Sequence, residues 1–494
     1  MNNQTDDRRS VDRDALVAAL RRVLPAEAVL DDPEDLRPYE CDGLSAYRQL
    51  PLAVALPTDD DGVAAVLAAC REHGAPVVAR GAGTSLSGGA LPHADGVVLS
   101  LAKLNRILSI DPLNRTARVQ PGVRNLAISE AAQPHGLYYA PDPSSQIICS
   151  IGGNVAENAG GVHCLKYGLT VHNILALEVL TIDGKRLTIG GSAPDSPGFD
   201  LLALMIGSEG MLGVVTEITV KLLPLPACAR VLLGAFDSIP EAGEAVSRII
   251  AAGITPGGLE MMDGPAIQAA EDFVHAGYPT DAAAILLCEL DGTIEEVEAQ
   301  IDEVRGLMEA SGASEVRVAH DERERALFWS GRKNAFPAVG RISPDYYCMD
   351  GTIPRRHLAR VLEGITALSE EYGLPVANVF HAGDGNLHPL ILYDANKPGE
   401  LERTEAFGGK ILELCVEVGG TITGEHGVGV EKINQMCVQF SREEIDQFHA
   451  VKAALDPERL LNPGKAIPSS SRCSELGGMH VHGGQLPFPD IERF

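Results

Sequence analysis

The sequence predicts an α+β protein of two or more domains, and three observations predict it. The chain is 494 residues long, more than one hydrophobic core usually holds. Short apolar runs bounded by turn residues alternate with amphipathic helical stretches along most of that length, the pattern of sheets covered by helices. The rhythm of the alternation changes after "PLPACAR" at 224–230, which marks a boundary.

Taken in order, Ser10 precedes "VDRDALVAALRRVLP", a short amphipathic helix. "PTDDDGVAAVLAACREHG" follows from 57, with Thr58 as expected N-cap, acids in the first turn, and an apolar stripe of Val63, Val66, Leu67 and Cys70. Gly74 closes it. The strand "APVVARG" then leads into a glycine-rich loop. "RILSIDPLNRTARVQ" and "LEVLTIDGKRLTI" read as hairpins turning at 111–114 and at Asp183-Gly184. "GVVTEITVKLLP" is a strand that closes this half.

Beyond 229 the strands "RVLLGAF", "AAILLCELDG" and "SEVRVA" alternate with helices near 240–252 and over "IEEVEAQIDEVRGLMEASG". After 345 come the strand "DYYCMDGTIP", the helix "RRHLARVLEGITALSEEYG", the strands "VANVFHAG" and "LHPLILY", and a helix near 400–418. Units of this length suit a sheet with helices on one face. The tail from 468 has little periodicity and is expected as an ordered or partner-contacting extension.

Composition excludes several functions. A net charge of −28 would repel a phosphate backbone, so nucleic acid is excluded as a partner and an anionic membrane as a surface. No apolar run reaches the roughly 18 residues of a transmembrane helix, and "MNNQTDDRRSVDRD" lacks a signal peptide's apolar segment. A cytoplasmic protein is expected. Ten cysteines without a C-x-x-C pair argue against a disulfide framework, a zinc ribbon or a self-contained iron–sulfur cluster. They read mostly as buried free thiols.

Three loops carry the first chemical signal. "VVARGAGTSLSGGA" (77–90) follows a strand, and its glycines let backbone N–H groups converge on an anion. It is no P-loop, for no Gly-Lys-Ser/Thr follows, and Leu86 stands where a dinucleotide fingerprint needs its third glycine. Alone it reads equally as a phosphate cradle or a tight turn. "PDPSSQIICSIGGNVAENAGG" (141–161) and "GSEGMLGVVTEITV" (207–220) repeat the theme. Together they suit a long ligand threaded through the domain.

The second signal is "VFHAGDGNLHPLILY" (379–393), where His381 and His388 lie seven apart across a Gly-Asp-Gly turn. "GEHGVG" adds Glu425 and His426. A single histidine here would read as a turn imidazole bonded to backbone. Two, with an acid and a third imidazole in another glycine loop, also read as a metal site. No H-E-x-x-H motif is present.

The three loops, with "LNPGK" at 461–465, resemble the FAD-binding domain of vanillyl-alcohol-oxidase type flavoproteins. The order of motifs over almost the whole chain is similar to the FAD-linked D-2-hydroxyacid dehydrogenases. That family includes the catalytic FAD-binding subunits of bacterial glycolate oxidases (glycolate dehydrogenases) and D-lactate and D-2-hydroxyglutarate dehydrogenases. "WSGRKNAFPAVGRISPDYYCMDGTIPR" and "HAGDGNLHP…GEHGVGVEK" are the most specific parts of the match.

The resemblance implies a two-part FAD-binding domain, residues 1–227 completed by 428–494, and a substrate domain at 228–427 with an antiparallel sheet and helices on one face. It implies that Gly81, Ala82, Gly83, Thr84 and Ser85 hold the FAD pyrophosphate. Pro141, Ser144, Ser150, Gly153, Asn154 and Asn158, then Glu209, Gly213 and Val215, would line ribose and flavin, with Asn462 near the isoalloxazine. Thr84 stands where covalent relatives carry a histidine, so the FAD is expected to be non-covalent.

At the second site the resemblance implies His381, His388 and Glu425 as ligands of a divalent metal, zinc first, with manganese or iron as alternatives. His426 would be the base and Arg332 the anchor for the substrate carboxylate, with Lys333 as rival. Trp329 reads as core. Chemistry supports the need for metal. An imidazole of pKa about 6.5 facing a hydroxyl near 15.7 is short by about nine units, roughly 12 kcal/mol. A metal that drops the bound hydroxyl to about 7 nearly closes that gap.

Phe336 and Cys348 would make a small apolar pocket, favouring glycolate or D-lactate over 2-hydroxyglutarate. The implied partners are a small 2-hydroxy acid, a second flavin-type subunit and an iron–sulfur subunit passing electrons to quinone, with only indirect membrane contact. Rival readings are a stand-alone D-lactate dehydrogenase, a metal-dependent hydrolase and a non-catalytic FAD-binding subunit.

Overall fold

A computed structural model describes residues 11–193, 197–469 and 472–473. Its first layer is a four-stranded sheet in the order Val29–Leu30, Ala53–Ala55, Val97–Ser100, Val77–Arg80, the last three strands parallel. The helices Arg13–Val23 and Asp60–Glu72 bury Leu16, Leu20, Val63 and Leu67 against it. Asp12 and Asp59 cap them, accepting N–H bonds from Ala15 and Gly62, and the second cap falls one residue later than the expected Thr58. An aspartate adds a charge that complements the helix dipole to the same cap bond.

A five-stranded antiparallel sheet follows, ordered Ile107–Asp111, Thr116–Val119, Val214–Lys221, Ile174–Leu180, Arg186–Gly190. It contains both expected hairpins. Gly184 takes the second turn with φ +79°, a conformation that costs a glycine little.

The chain returns to these layers at its far end. Val77 N donates to Leu460 O (2.7 Å) and Asn462 N to Val77 O (2.8 Å). Leu460 and Leu461 enter the core of the four-stranded sheet. The helix Arg442–Leu455 lays Val451 and Leu455 on the core of the second sheet.

Between these parts lies a seven-stranded, wholly antiparallel sheet: Ala313–Val318, Cys228–Phe236, Ala284–Gly292, Gly258–Asp263, Val376–Phe380, Pro389–Tyr393, Asp345–Cys348. The expected helical layer is present: Ile239–Ala251, Ile294–Ala310, Leu358–Tyr372 and Glu400–Glu417 cover Leu232, Phe236 and Leu286. A second layer, Gly264–Val274, Glu322–Lys333 and Ala335–Val339, covers Val231, Leu233 and Leu287 on the opposite face. The strands are apolar on both sides, so both faces need cover.

Eight cysteines are free, most of them buried, while Cys437 and Cys473 form a disulfide that the thiol reading missed. No C-x-x-C spacing signals it, because 36 residues separate the partners. The tail beyond 473 lies outside the described residues. Among the described residues, no helix is long and apolar enough to cross a membrane.

Candidate active site

One cavity of about 560 Å³ is lined both by the glycine loops and by the histidine–glutamate cluster. The strand Val77–Arg80 delivers the 81–85 loop into the wall. A Cβ at Gly81 would collide with Ser150 Oγ, and Gly83 has φ +72°. Backbone must therefore pass where a side chain cannot. Ser150 caps the helix Ile151–Glu157, accepting from Gly153 N (3.4 Å).

Gly81, Ala82, Gly83, Thr84 and Ser85 line the cavity, as do Ser144, Ser150, Gly153 and Asn154. Glu209, Gly213 and Val215 join them from the third loop. Asn154 Nδ2 and Glu157 Oε2 are buried without partners. Glycine-cleared backbone and unspent polar atoms along one cavity wall fit a dinucleotide.

Three expected residues are not on that wall. Pro141 O accepts from Asn125 Nδ2 (3.0 Å). Asn158 ends the helix in left-handed conformation (φ 55°), its Oδ1 accepting from Val171 N (2.9 Å). Asn462 Nδ2 donates to Gly89 O (3.0 Å) and Glu209 O (2.7 Å). The Asn158 and Asn462 side chains, and the Pro141 carbonyl, are spent on hydrogen bonds behind the loops, where short amides and rigid turns are most used.

In the cluster, His381 follows the strand Val376–Phe380 and His388 precedes Pro389–Tyr393. The Gly-Asp-Gly turn folds the two strands side by side, so the ring centroids come within 5.2 Å. His381 Nε2 and His388 Nε2 lie 3.3 and 3.0 Å from one oxygen, Glu425 Oε1. His388 Nε2 nevertheless has no hydrogen-bond partner, and His388 Nδ1 and His426 Nδ1 are likewise buried and unpaired. Two imidazole nitrogens and a carboxylate oxygen pointing at common space fit a divalent cation. Burial pushes the Glu425 carboxyl up, but the two imidazoles outweigh it and hold it well below the usual range.

Two acids that the motifs did not flag complete the site. Asp350, fully buried, accepts from Thr423 Oγ1 and from His426 N (2.9 Å), and lies 3.7 Å from His388 Nε2. With His388, Glu425 and His426 it forms a group compact enough for a metal ion. Glu260, 1% exposed, bonds His381 Nδ1 (2.7 Å) with one oxygen and Arg332 Nε and Nη2 (2.8 and 2.7 Å) with the other. A signal existed: an acid inside the apolar run "GGLEMMD" must be paired if it is buried. Burial lowers His426 to about 4, so it is neutral at pH 7.

Arg332 and Lys333 both line the cavity, Arg332 buried and Lys333 exposed. Trp329 is buried, its Nε1 donating to Glu289 Oε2 (2.6 Å). Phe336 lines the cavity, but Cys348 does not; its Sγ turns to Met349 O within the core. Tyr346, edge-on to Phe336 at 5.9 Å, takes the place expected of Cys348.

Residues 51–190 match the family described as FAD binding domain, and 225–466 match FAD linked oxidases, C-terminal domain. The chain is 67% identical over 484 residues to glycolate oxidase subunit GlcD of Escherichia coli K12, covering 98% of this chain and 97% of that one. It is 41% identical to the Bacillus subtilis protein of the same name, covering 88% and 93%. With the D-lactate dehydrogenase of Anaerostipes hadrus it shares 32%, covering 90% and 95%. Among solved structures, 4-ethylphenol oxidase from Gulosibacter chungangensis superposes with TM-score 0.79 at 19% identity, covering 94% and 99%. p-Cresol methylhydroxylase does so with the same score and identity, covering 93% and 97%. The fold is thus the vanillyl-alcohol-oxidase type. Glycine loops that clear a dinucleotide cavity, in a chain matched end to end by these relatives, make it a member of the FAD-linked oxidase family, a flavin-dependent oxidoreductase.

Proposed function

We propose that the protein oxidises glycolate, and D-lactate beside it, to the 2-oxo acid. The observation that carries this reading is the meeting of His381, His388 and Glu425 at one point, in the cavity that also holds Arg332 and the glycine loops. Relatives named glycolate oxidase subunit and D-lactate dehydrogenase favour a 2-hydroxy acid as substrate.

Bound FAD supplies a hydride acceptor at N5, and a divalent ion on His381, His388 and Glu425, zinc before manganese or iron, supplies a Lewis acid for the hydroxyl. The chain's own residues do the rest. Arg332 holds the substrate carboxylate through Nη1, since Nε and Nη2 are spent on Glu260 and no described residue engages Nη1. His426 takes the hydroxyl proton on its unpaired Nδ1. Phe336 and Tyr346 narrow the cavity around a short substrate and exclude water. The 81–85, 144–154 and 209–215 segments cradle non-covalent FAD, since Thr84 offers no attachment point.

In this reading residues 1–227 and 428–494 form the flavin domain and 228–427 the substrate domain, supported by the bonds joining Val77 to Leu460 and Asn462. Electrons leave to an iron–sulfur subunit in a complex with a second flavin-type subunit, which the word subunit in the relatives' names favours. The protein works in the cytoplasm, touching the membrane only through those partners.

The test is anaerobic mixing of the yellow protein with glycolate, D-lactate and L-lactate in turn. Glycolate and D-lactate should bleach the flavin and L-lactate should not. Bleaching by 2-hydroxyglutarate far faster than by glycolate would overturn the pocket reading. A second reading, a D-lactate dehydrogenase acting without partner subunits, is favoured by the Anaerostipes relative. It predicts faster bleaching by D-lactate and full turnover with a soluble acceptor alone.

A further inference from the structure

One of the proposed metal ligands, His381, and the proposed substrate anchor, Arg332, are bonded to a single carboxylate. Glu260 sits on the strand Gly258–Asp263, whose Met261 is paired with Phe380, next to His381. Its Oε1 lies 2.7 Å from His381 Nδ1. Its Oε2 lies 2.8 Å from Arg332 Nε and 2.7 Å from Nη2, on the helix Glu322–Lys333. Two separate elements therefore meet on a side chain of a third, and that side chain is 1% exposed.

We propose that Glu260 is a positioning residue that sets metal affinity and substrate affinity together, by orienting His381 with one oxygen and Arg332 with the other. This rests on the reading of the site given above. A proton on His381 Nδ1, bonded to Oε1, leaves the Nε2 lone pair facing Glu425. Two bonds from Oε2 fix the guanidinium plane and leave Nη1 for the substrate. An ion pair between Glu260 and Arg332 alone would be a structural feature. The His381 bond on the other oxygen makes it a link between two functions.

The experiment compares wild type with Glu260→Gln as flavin-loaded proteins. Zinc affinity is read by chelator competition, and KM and kcat for glycolate at saturating zinc. FAD absorbance and thermal midpoint serve as controls. The variant should bind zinc about 10–100-fold more weakly, the usual effect of losing such an outer partner. At saturating zinc, kcat should recover more fully than KM, because Arg332 remains loose. Should Glu260→Gln fail to fold with Arg332 left unpaired, Glu260→Gln combined with Arg332→Met removes both charges, and its zinc affinity still isolates the His381 arm. Zinc affinity and KM equal to wild type would overturn the proposal alone. A wild type that binds no zinc, manganese or iron would overturn the site reading and this proposal with it.

Discussion

His388 Nε2 and Glu425 Oε1 lie 3.0 Å apart in the cavity wall, yet His388 Nε2 makes no hydrogen bond. The same Glu425 oxygen is 3.3 Å from His381 Nε2. Two imidazole nitrogens converging on one carboxylate oxygen fit a divalent cation held between them. Glu425→Gln should therefore lose divalent metal by more than the about 10–100-fold that an outer partner costs. FAD should stay bound, because Glu425 is not part of the 81–85, 144–154 or 209–215 segments that line the flavin cradle. Metal content and the flavin spectrum of one preparation check both halves. Parallel loss of both would sink the separation of the two sites.

The pH profile follows from His426. Burial holds it near 4 rather than 6.5, aided by His388 and opposed by Asp350. A base works only when unprotonated, and a lowered pKa extends that form to lower pH. The acid limb of kcat/KM should fall closer to pH 4 than to 6.5. Removing a negative charge that favours the imidazolium lowers the pKa further, so Asp350→Asn should move the limb lower still. His426→Gln should cost about 10²–10⁴-fold in turnover and abolish that limb.

Much of this was legible because motif and periodicity act over short distances. The hairpins at 111–114 and Asp183-Gly184, the two imidazoles on one turn, and the three glycine loops were readable from neighbours in sequence. What sequence left hidden depends on contacts across the fold. Glu260 is 121 residues from His381, and Asp350 is 76 from His426. Nothing local separates their carboxylates from other acids except the apolar company of Glu260. The second helical layer was hidden too, because a strand apolar on both faces shows no alternation from which to count layers.

The flavin should be removable. Thr84 leaves the first loop without a histidine for covalent attachment, so acid precipitation should release all yellow colour into the supernatant. Gly81→Ala tests the cradle itself. Its Cβ would meet Ser150 Oγ, which caps the helix Ile151–Glu157. Either the cap breaks, at about 1 kcal/mol, or the loop moves out of register. FAD content after gel filtration should fall in either case, with metal binding retained. Unchanged FAD content would show that the loop does not approach the cofactor.

A last expectation concerns the joint between the two halves of the chain. His163 Nδ1 lies 2.8 Å from Asp142 Oδ2, and its Nε2 lies 3.1 Å from Glu289 Oε1 on the strand Ala284–Gly292 of the seven-stranded sheet. Arg325 Nη1 (2.7 Å) and Trp329 Nε1 hold the other Glu289 oxygen. Burial alone would lower the His163 pKa, but Asp142 and Glu289 outweigh it and hold it well above 6.5. A folded pKa above the unfolded value stabilises fully below about 6.5 and less as pH rises through the folded value. The wild-type melting temperature should therefore decline on the alkaline side, beginning as pH passes about 6.5. His163→Gln should be less stable by about 1.5–3 kcal/mol at pH 6, the range of hydrogen bonds to charged groups, and should lack that alkaline decline. Melting curves of both proteins from pH 6 to about 10 measure it, and parallel profiles would mean that the imidazole is not charged in the folded state.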